Sequence, residues 1–144
     1  MKRNILVAYD RSNLSEKALQ EAKLQAAGVP ETEVHVVSIV TMAGPGTNAK
    51  ISENIQYEMA ENLRPDMERI NREFDAESIP VYTDIVIAHN NRNAGTKICE
   101  YADENAIDLI IAGSRGLGAV KKLLLGSVSY QIVQGSNCPV LIMK

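Results

Sequence analysis

A chain of 144 residues is one domain's worth of sequence, residues 1–144, and at 45% hydrophobic and 23% charged it carries a core, not a disordered tail. A formal net charge of −3, with a pI near 5.4, excludes the basic face of a general nucleic-acid binder. Two cysteines, Cys99 and Cys138, without CxxC spacing exclude a disulfide framework and fit free thiols in a reducing compartment.

No stretch approaches the roughly 18 apolar residues of a membrane span. The opening Met1-Lys2-Arg3 has the basic start of a signal peptide, but Asp10 ends the apolar run that follows too early for one. A soluble, cytoplasmic protein is expected, with neither membrane nor nucleic acid as partner. Six aromatics (five Tyr, one Phe, no Trp) leave the core to aliphatic side chains.

Asn4 to Tyr9 is a near-continuous apolar run, as a strand buried on both faces reads. Asn13-Leu14-Ser15-Glu16 offers an Asn cap with Glu at the third helical position. Leu14, Ala18, Ala22 and Ala26 continue as a helix stripe, which Gly28 and Pro30 stop. Val34 to Val40 is a second buried strand. Thr41 to Asn48 is a loop, and Ile51 to Phe74 repeats apolar residues at spacings of three and four as a long helix that Pro65 kinks or splits.

Val81 to Ile87 alternates as a third strand, Ala94 to Glu104 is a short helix, and Asp108 to Ala112 is a fourth strand. Leu123 to Gln134 is helical, ended by Gly135, and Pro139 to Met143 is a fifth strand. The alternation predicts an α/β fold: a single-domain, open, twisted, five-stranded parallel sheet with helices on both faces, Rossmann-like in plan. In such sheets ligands sit beyond the carboxyl ends of the strands, where strand order reverses. That directs attention to Asp10, Ile39 to Ala43, Ala88 to Asn93, and Gly113 onward.

Charge is unevenly placed. Residues 1–108 hold 11 basic and 18 acidic side chains, whereas residues 109–144 hold Arg115, Lys121, Lys122 and Lys144 and no acid. An anionic small molecule could sit there, or a segment rich in Gly and apolar groups has simply left few places for Glu. Within it, Gly113-Ser114-Arg115-Gly116 is followed, after nine residues, by Gly126-Ser127. Gly113 and Gly116 allow close backbone approach and positive φ, and Gly126-Ser127 can open a helix with free N–H groups and a hydroxyl, a seat for phosphate. The loop is not a Walker A motif, because Ala119 stands where Lys is required, nor the dinucleotide fingerprint, because Lys121 replaces its last glycine. For glycines of arbitrary spacing, turns made by the glycines and a helix capped by Ser127 are the better account.

The spacing G-x2-G-x9-G-[ST], filled by Gly113, Gly116, Gly126 and Ser127, resembles the nucleotide-binding signature of the universal stress protein family. NILVAYDRSNLSEKAL, IDLIIAGSRG, LLLGSVSYQIV and CPVLIMK resemble family segments too, so the likeness covers essentially the whole chain. It implies the adenine nucleotide alpha hydrolase-like fold and a site for ATP, or for AMP or ADP, with Mg²⁺ as an accompanying ion. Asp10 would contact the nucleoside, and the backbone of Ile39 would read adenine. Gly113, Arg115 and Gly116 would wrap the ribose and phosphates, while Gly126, Ser127 and Val128 would hold the phosphate tail. The resemblance also implies a stress-response homodimer paired through the last strand, with a protein partner the sequence does not name. One segment departs from the family: Ala88 to Gly95 is longer and more polar than the usual Gly-x-[Pro/Ala] turn.

The remaining candidates read as structural. His35 lies inside an apolar strand and His89 in a polar loop, no group has metal-ligand spacing, and neither cysteine has a base nearby. No catalytic residue is assigned. Three functions compete: a nucleotide-binding regulator, a slow ATPase or nucleotidyl transferase on the same scaffold, and a dimerising module with a vestigial pocket. Turnover needs a positioned base or metal clamp, which the sequence does not display.

Overall fold

The structure, a computed structural model, describes residues 2–41, 49–88, 93–115 and 125–144, with the backbone alone from 49 to 53. The elements run β1 (Arg3–Ala8), α1 (Asn13–Gly28), β2 (Thr32–Thr41), α2 (Ala49–Ala76), β3 (Val81–Ala88), α3 (Ala94–Glu104), β4 (Leu109–Gly113), α4 (Ser127–Gly135) and β5 (Val140–Met143). The strands form one sheet in the order β3-β2-β1-β4-β5, every pair parallel. The chain builds leftward from β1 through β2 to β3, then crosses to β4 and β5 on the right. The reversal point therefore lies between β1 and β4.

The period-two alternation of strands divides the core into two layers. Ile5, Val7, Val34, Val36 and Ile111 face α1 and α2, meeting Leu19, Met67, Ile70 and Phe74. Leu6, Val37 and Ile110 face the other way, against Ile98 of α3 and Ile132 of α4. Phe74 is the only buried Phe or Trp, so aliphatic packing carries the core as composition predicts. No described helix is long and apolar enough to cross a membrane.

Three local expectations need correction. Ser12, not Asn13, caps α1: its φ and ψ are extended, and its hydroxyl accepts from the Ser15 N–H at 3.2 Å. Glu16, expected to complete the cap, instead accepts from the Tyr9 hydroxyl at 2.7 Å and from Arg69 of α2 at 2.8 Å. Pro65 does not split α2, which is assigned as one helix of 28 residues. It stands on the exposed face, where water can serve the Glu61 carbonyl that its missing N–H leaves free. Finally, α4 starts at Ser127 instead of Leu123; Leu125 and Gly126 are not helical, and residues 123 and 124 lie outside the described set.

Helix α1 and the turn before it are also tied by ion pairs to α2 and the residue after it. Lys23 reaches Glu73 (3.5 Å) and Glu77 (3.3 Å), Arg69 reaches Glu16, and Arg11 reaches Asp66 (3.0 Å).

His35 is buried beneath α3, as a sheet histidine is expected to be. Its Nδ1 lies 2.8 Å from the Tyr101 hydroxyl, and its ring packs 5.0 Å from that of Tyr82. Burial lowers its pKa from the ordinary 6.5, against the pull of Glu33. The unfolded chain then binds the proton more readily than the folded one. Stability is full above about pH 6.5 and declines as pH falls toward the lowered folded value. Urea midpoints at pH 7.5 and 5.5 should therefore fall more steeply for the wild type than for His35→Gln; equal slopes would exclude this residue as the cause.

Candidate nucleotide site

The reversal point is lined by the ends of β1, β2 and β4. After Ala8, the Tyr9 N–H still donates to the Val37 carbonyl (2.9 Å), and the buried Ser38 hydroxyl donates to the Tyr9 carbonyl (2.6 Å). The chain then turns sharply. Asp10 Oδ1 accepts from the Ser12 N–H at 3.0 Å, and Arg11 adopts a left-handed φ of 71°. Asp10 itself is exposed.

Strand β2 outruns β1. The last β1 partner in the ladder is Ala8, opposite Val37, while β2 continues to Thr41. Backbone groups along a strand point alternately to its two neighbours. The Val34 N–H donates toward β3, at Pro80, and the Val37 carbonyl accepts from the β1 side. Ile39 shares the parity of Val37, so its peptide groups face the side of Asp10, beyond the paired length of β1. Its half-buried side chain packs with the α3 and α4 layer.

On the other side of the crevice stands Gly113, and its reason for being glycine is steric. Its φ is not left-handed; a Cβ there would lie 2.7 Å from the Cβ of Leu14, in the first turn of α1. The expectation of positive φ at Gly113 is thus replaced by close approach of β4 to α1. Ser114, buried, donates its N–H to the Met143 carbonyl of β5 (2.8 Å). Its own carbonyl accepts from the Gly126 N–H (2.6 Å) and the Ser129 hydroxyl (3.0 Å). One carbonyl therefore holds the start of α4 against the end of β4. Arg115 is half-buried beside it; Gly116, Lys121 and Lys122 lie outside the described residues, as does His89.

Gly126 is the N-cap of α4, with extended backbone and no side-chain capping bond. The first N–H groups of a helix have no partner within it, and glycine brings no oxygen to serve them. Ser127 and Val128 are exposed at this end. Among the described residues no side chain caps these donors, and helix-start N–H groups, a helix dipole and a hydroxyl are elements that favour an anion.

The structure thus brings Gly113, Arg115, Gly126, Ser127 and Val128 together at the β4–α4 junction. Asp10 and Ile39 stand at the ends of β1 and β2. Ser38, Ser114 and Ser129 are structural residues of the site that spacing did not single out. The signal for Ser129 was its place at the third position of α4, from which a short polar side chain reaches back to the helix entrance. Cys99 and Cys138 both have pKa values raised by burial, which keeps them as thiols and unsuited to nucleophilic attack. Among the described residues, no group of three His, Cys, Asp or Glu side chains could hold a metal ion.

The model of the universal stress protein family matches residues 1–144. The chain belongs to that family. Among its relatives, the universal stress protein YxiE of Bacillus subtilis is 32% identical, the match covering 97% of each chain. The solved structure of protein MJ0577, a universal stress protein of Methanocaldococcus jannaschii, superposes with a TM-score of 0.87 at 28% identity over 100% of this chain and 96% of that one. The universal stress protein from Archaeoglobus fulgidus in complex with dAMP shares the fold, with a TM-score of 0.61 at 20% identity over 100% of this chain and 98% of that one. As in other universal stress proteins, the sheet is five-stranded and parallel with helices on both faces.

Proposed function

We propose that this universal stress protein is a nucleotide-responsive regulator that binds ATP, or AMP or ADP, in the crevice between the ends of β1 and β4. The observation that carries the reading is the uncapped N-terminus of α4, pinned by the Ser114 carbonyl at the point where strand order reverses. The phosphate tail lies on the N–H groups of Ser127 and Val128 and the Ser127 hydroxyl. Gly113, Arg115 and Gly116 follow the ribose and phosphates, Asp10 meets a donor of the nucleoside, and the Ile39 backbone meets the base. A universal stress protein of the same fold has been solved with dAMP, which supports an adenine nucleotide here. Mg²⁺ would enter on the nucleotide's own phosphate oxygens and water.

The regulator acts as a homodimer in the cytoplasm, signalling to a protein partner. Among the described residues strand β5 pairs with β4 alone, and its four residues Val140–Met143 are apolar and half-buried, an edge suited to a second copy. Light scattering on the purified chain should give twice the monomer mass, and a clean monomer would overturn this assembly. The nucleotide reading is tested by denaturing freshly purified protein, identifying released small molecules by chromatography, and titrating with ATP and AMP. Bound or titratable adenine nucleotide is expected. Absence of both would leave the α4 seat purely structural.

A further inference from the structure

Asp10 stands in a turn that is costly to hold. Arg11 is one of four non-glycine residues with positive φ among the described residues, and L side chains adopt that region reluctantly. Two contacts keep it there. Within the turn, Asp10 Oδ1 takes the Ser12 N–H. From outside it, Asp66 of α2 reaches across to Arg11, Oδ2 to Nε at 3.0 Å, and no other described contact fixes the Arg11 side chain. Asp66 is itself oriented by Arg69 at 3.9 Å, whose remaining bonds run to Glu16, Glu73 and the Tyr9 hydroxyl.

We infer that Asp66 is a positioning residue for the nucleoside end of the site: by holding Arg11 it fixes the left-handed turn that aims the Asp10 carboxylate into the crevice. This rests on the nucleotide reading above. With Oδ1 committed to Ser12, Oδ2 is the atom presented to a ligand, and an ionised carboxylate accepts only. It therefore selects a nucleoside group that donates, a ribose hydroxyl or the adenine amino group. If Asp66 is lost, Arg11 can relax toward negative φ, and the Asp10 carboxylate loses its fixed direction. The phosphate seat on α4 is built from different elements and is not expected to change.

The test compares ATP with inorganic tripolyphosphate, which has the phosphate tail and no nucleoside. Asp66→Asn should weaken ATP binding about fivefold, the size of a half-exposed ion pair, and leave tripolyphosphate binding unchanged. Arg11→Ala should cost about the same, and the double variant no more than either, because both changes release one contact. In the ligand-free protein, amide exchange at Ser12 should quicken in Asp66→Asn, since its N–H is held by the turn.

Equal weakening of ATP and tripolyphosphate, or full additivity of the two substitutions, would overturn the positioning role. So would ATP affinity unaltered by Asp66→Asn. A wild-type chain that binds neither compound would instead sink the nucleotide reading, and unchanged Ser12 exchange would then dismiss Asp66's hold on the turn separately.

Discussion

Gly126→Asp should abolish ATP binding, raising the dissociation constant at least about 100-fold, while leaving the protein as stable as before or slightly more so. The two effects have one cause. Asp is among the best N-cap residues, and its side chain accepts from the N–H groups two and three positions on. At residue 126 those donors belong to Val128 and Ser129, and the Val128 N–H is one that the proposed phosphate seat uses. The backbone there is already extended, and among the described residues an added Cβ meets nothing nearer than the Ser114 carbonyl at 3.5 Å, an ordinary contact. The substitution seals the helix and sets a negative charge where the ligand's own must go. Ser127→Glu should act alike, since Ser127 is exposed and a carboxylate in the first helical turn favours α4. Titration calorimetry and a thermal melt on each variant check both halves. ATP binding retained within a few-fold would remove phosphate from this helix end.

Gly95→Ala should destabilise the fold by about 2–3 kcal/mol, although helix propensity alone predicts a gain of roughly 1 kcal/mol. Gly95 lies in the first turn of α3, where α4 comes closest. Its N–H donates to Gln131 Oε1 at 2.9 Å, and an added Cβ would overlap the Gln131 Cβ and lie 2.8 Å from the Val128 carbonyl. Two of the three obstructing atoms are fixed to backbone, so neither can swing away. Relief requires α3 and α4 to separate, which loosens Ile98 and Ile132 in the layer beneath. For a chain of this size the melting temperature should fall by about 8 °C. An unchanged or higher value would show that the helices can shift apart at little cost. Because Val128 is shared with the proposed phosphate seat, ATP affinity should fall with it.

The order of strands and helices is legible in the sequence because each carries its own short-range signature. Buried parallel strands are unbroken apolar runs, and helices repeat at three and four. The crevice follows from that order alone. Legibility stops where an outcome depends on residues distant in sequence. Asn13 and Ser12 are both fair caps; the choice falls to Ser12 because Asp10 turns the chain one residue earlier and Arg11 goes left-handed, with Asp66, 55 residues away, across from it. Leu14 leads the predicted α1 stripe and is half-buried, with the end of β4 lying against it. Gly113 reads as a turn residue and proves to be a clearance for that same Leu14. Pro65 reads as a breaker, but its position on the exposed face of a helix anchored by Met67, Ile70 and Phe74 lets the helix continue.

Both helical layers pack on apolar cores, but what fastens them beyond that differs. Across one face of the sheet, α1 and α2 share the ladder from Lys23 to Arg11, whose members are partly exposed and open to counterions. Across the other, α3 and α4 are locked by the fit of Gly95 under Gln131, and among the described residues no ion pair joins them. Ionic strength thus acts as a selective solvent for half of the molecule. In concentrated salt the α1–α2 layer slackens while the α3–α4 layer keeps its grip. High ionic strength would therefore loosen the Asp10 side of the crevice before the α4 side.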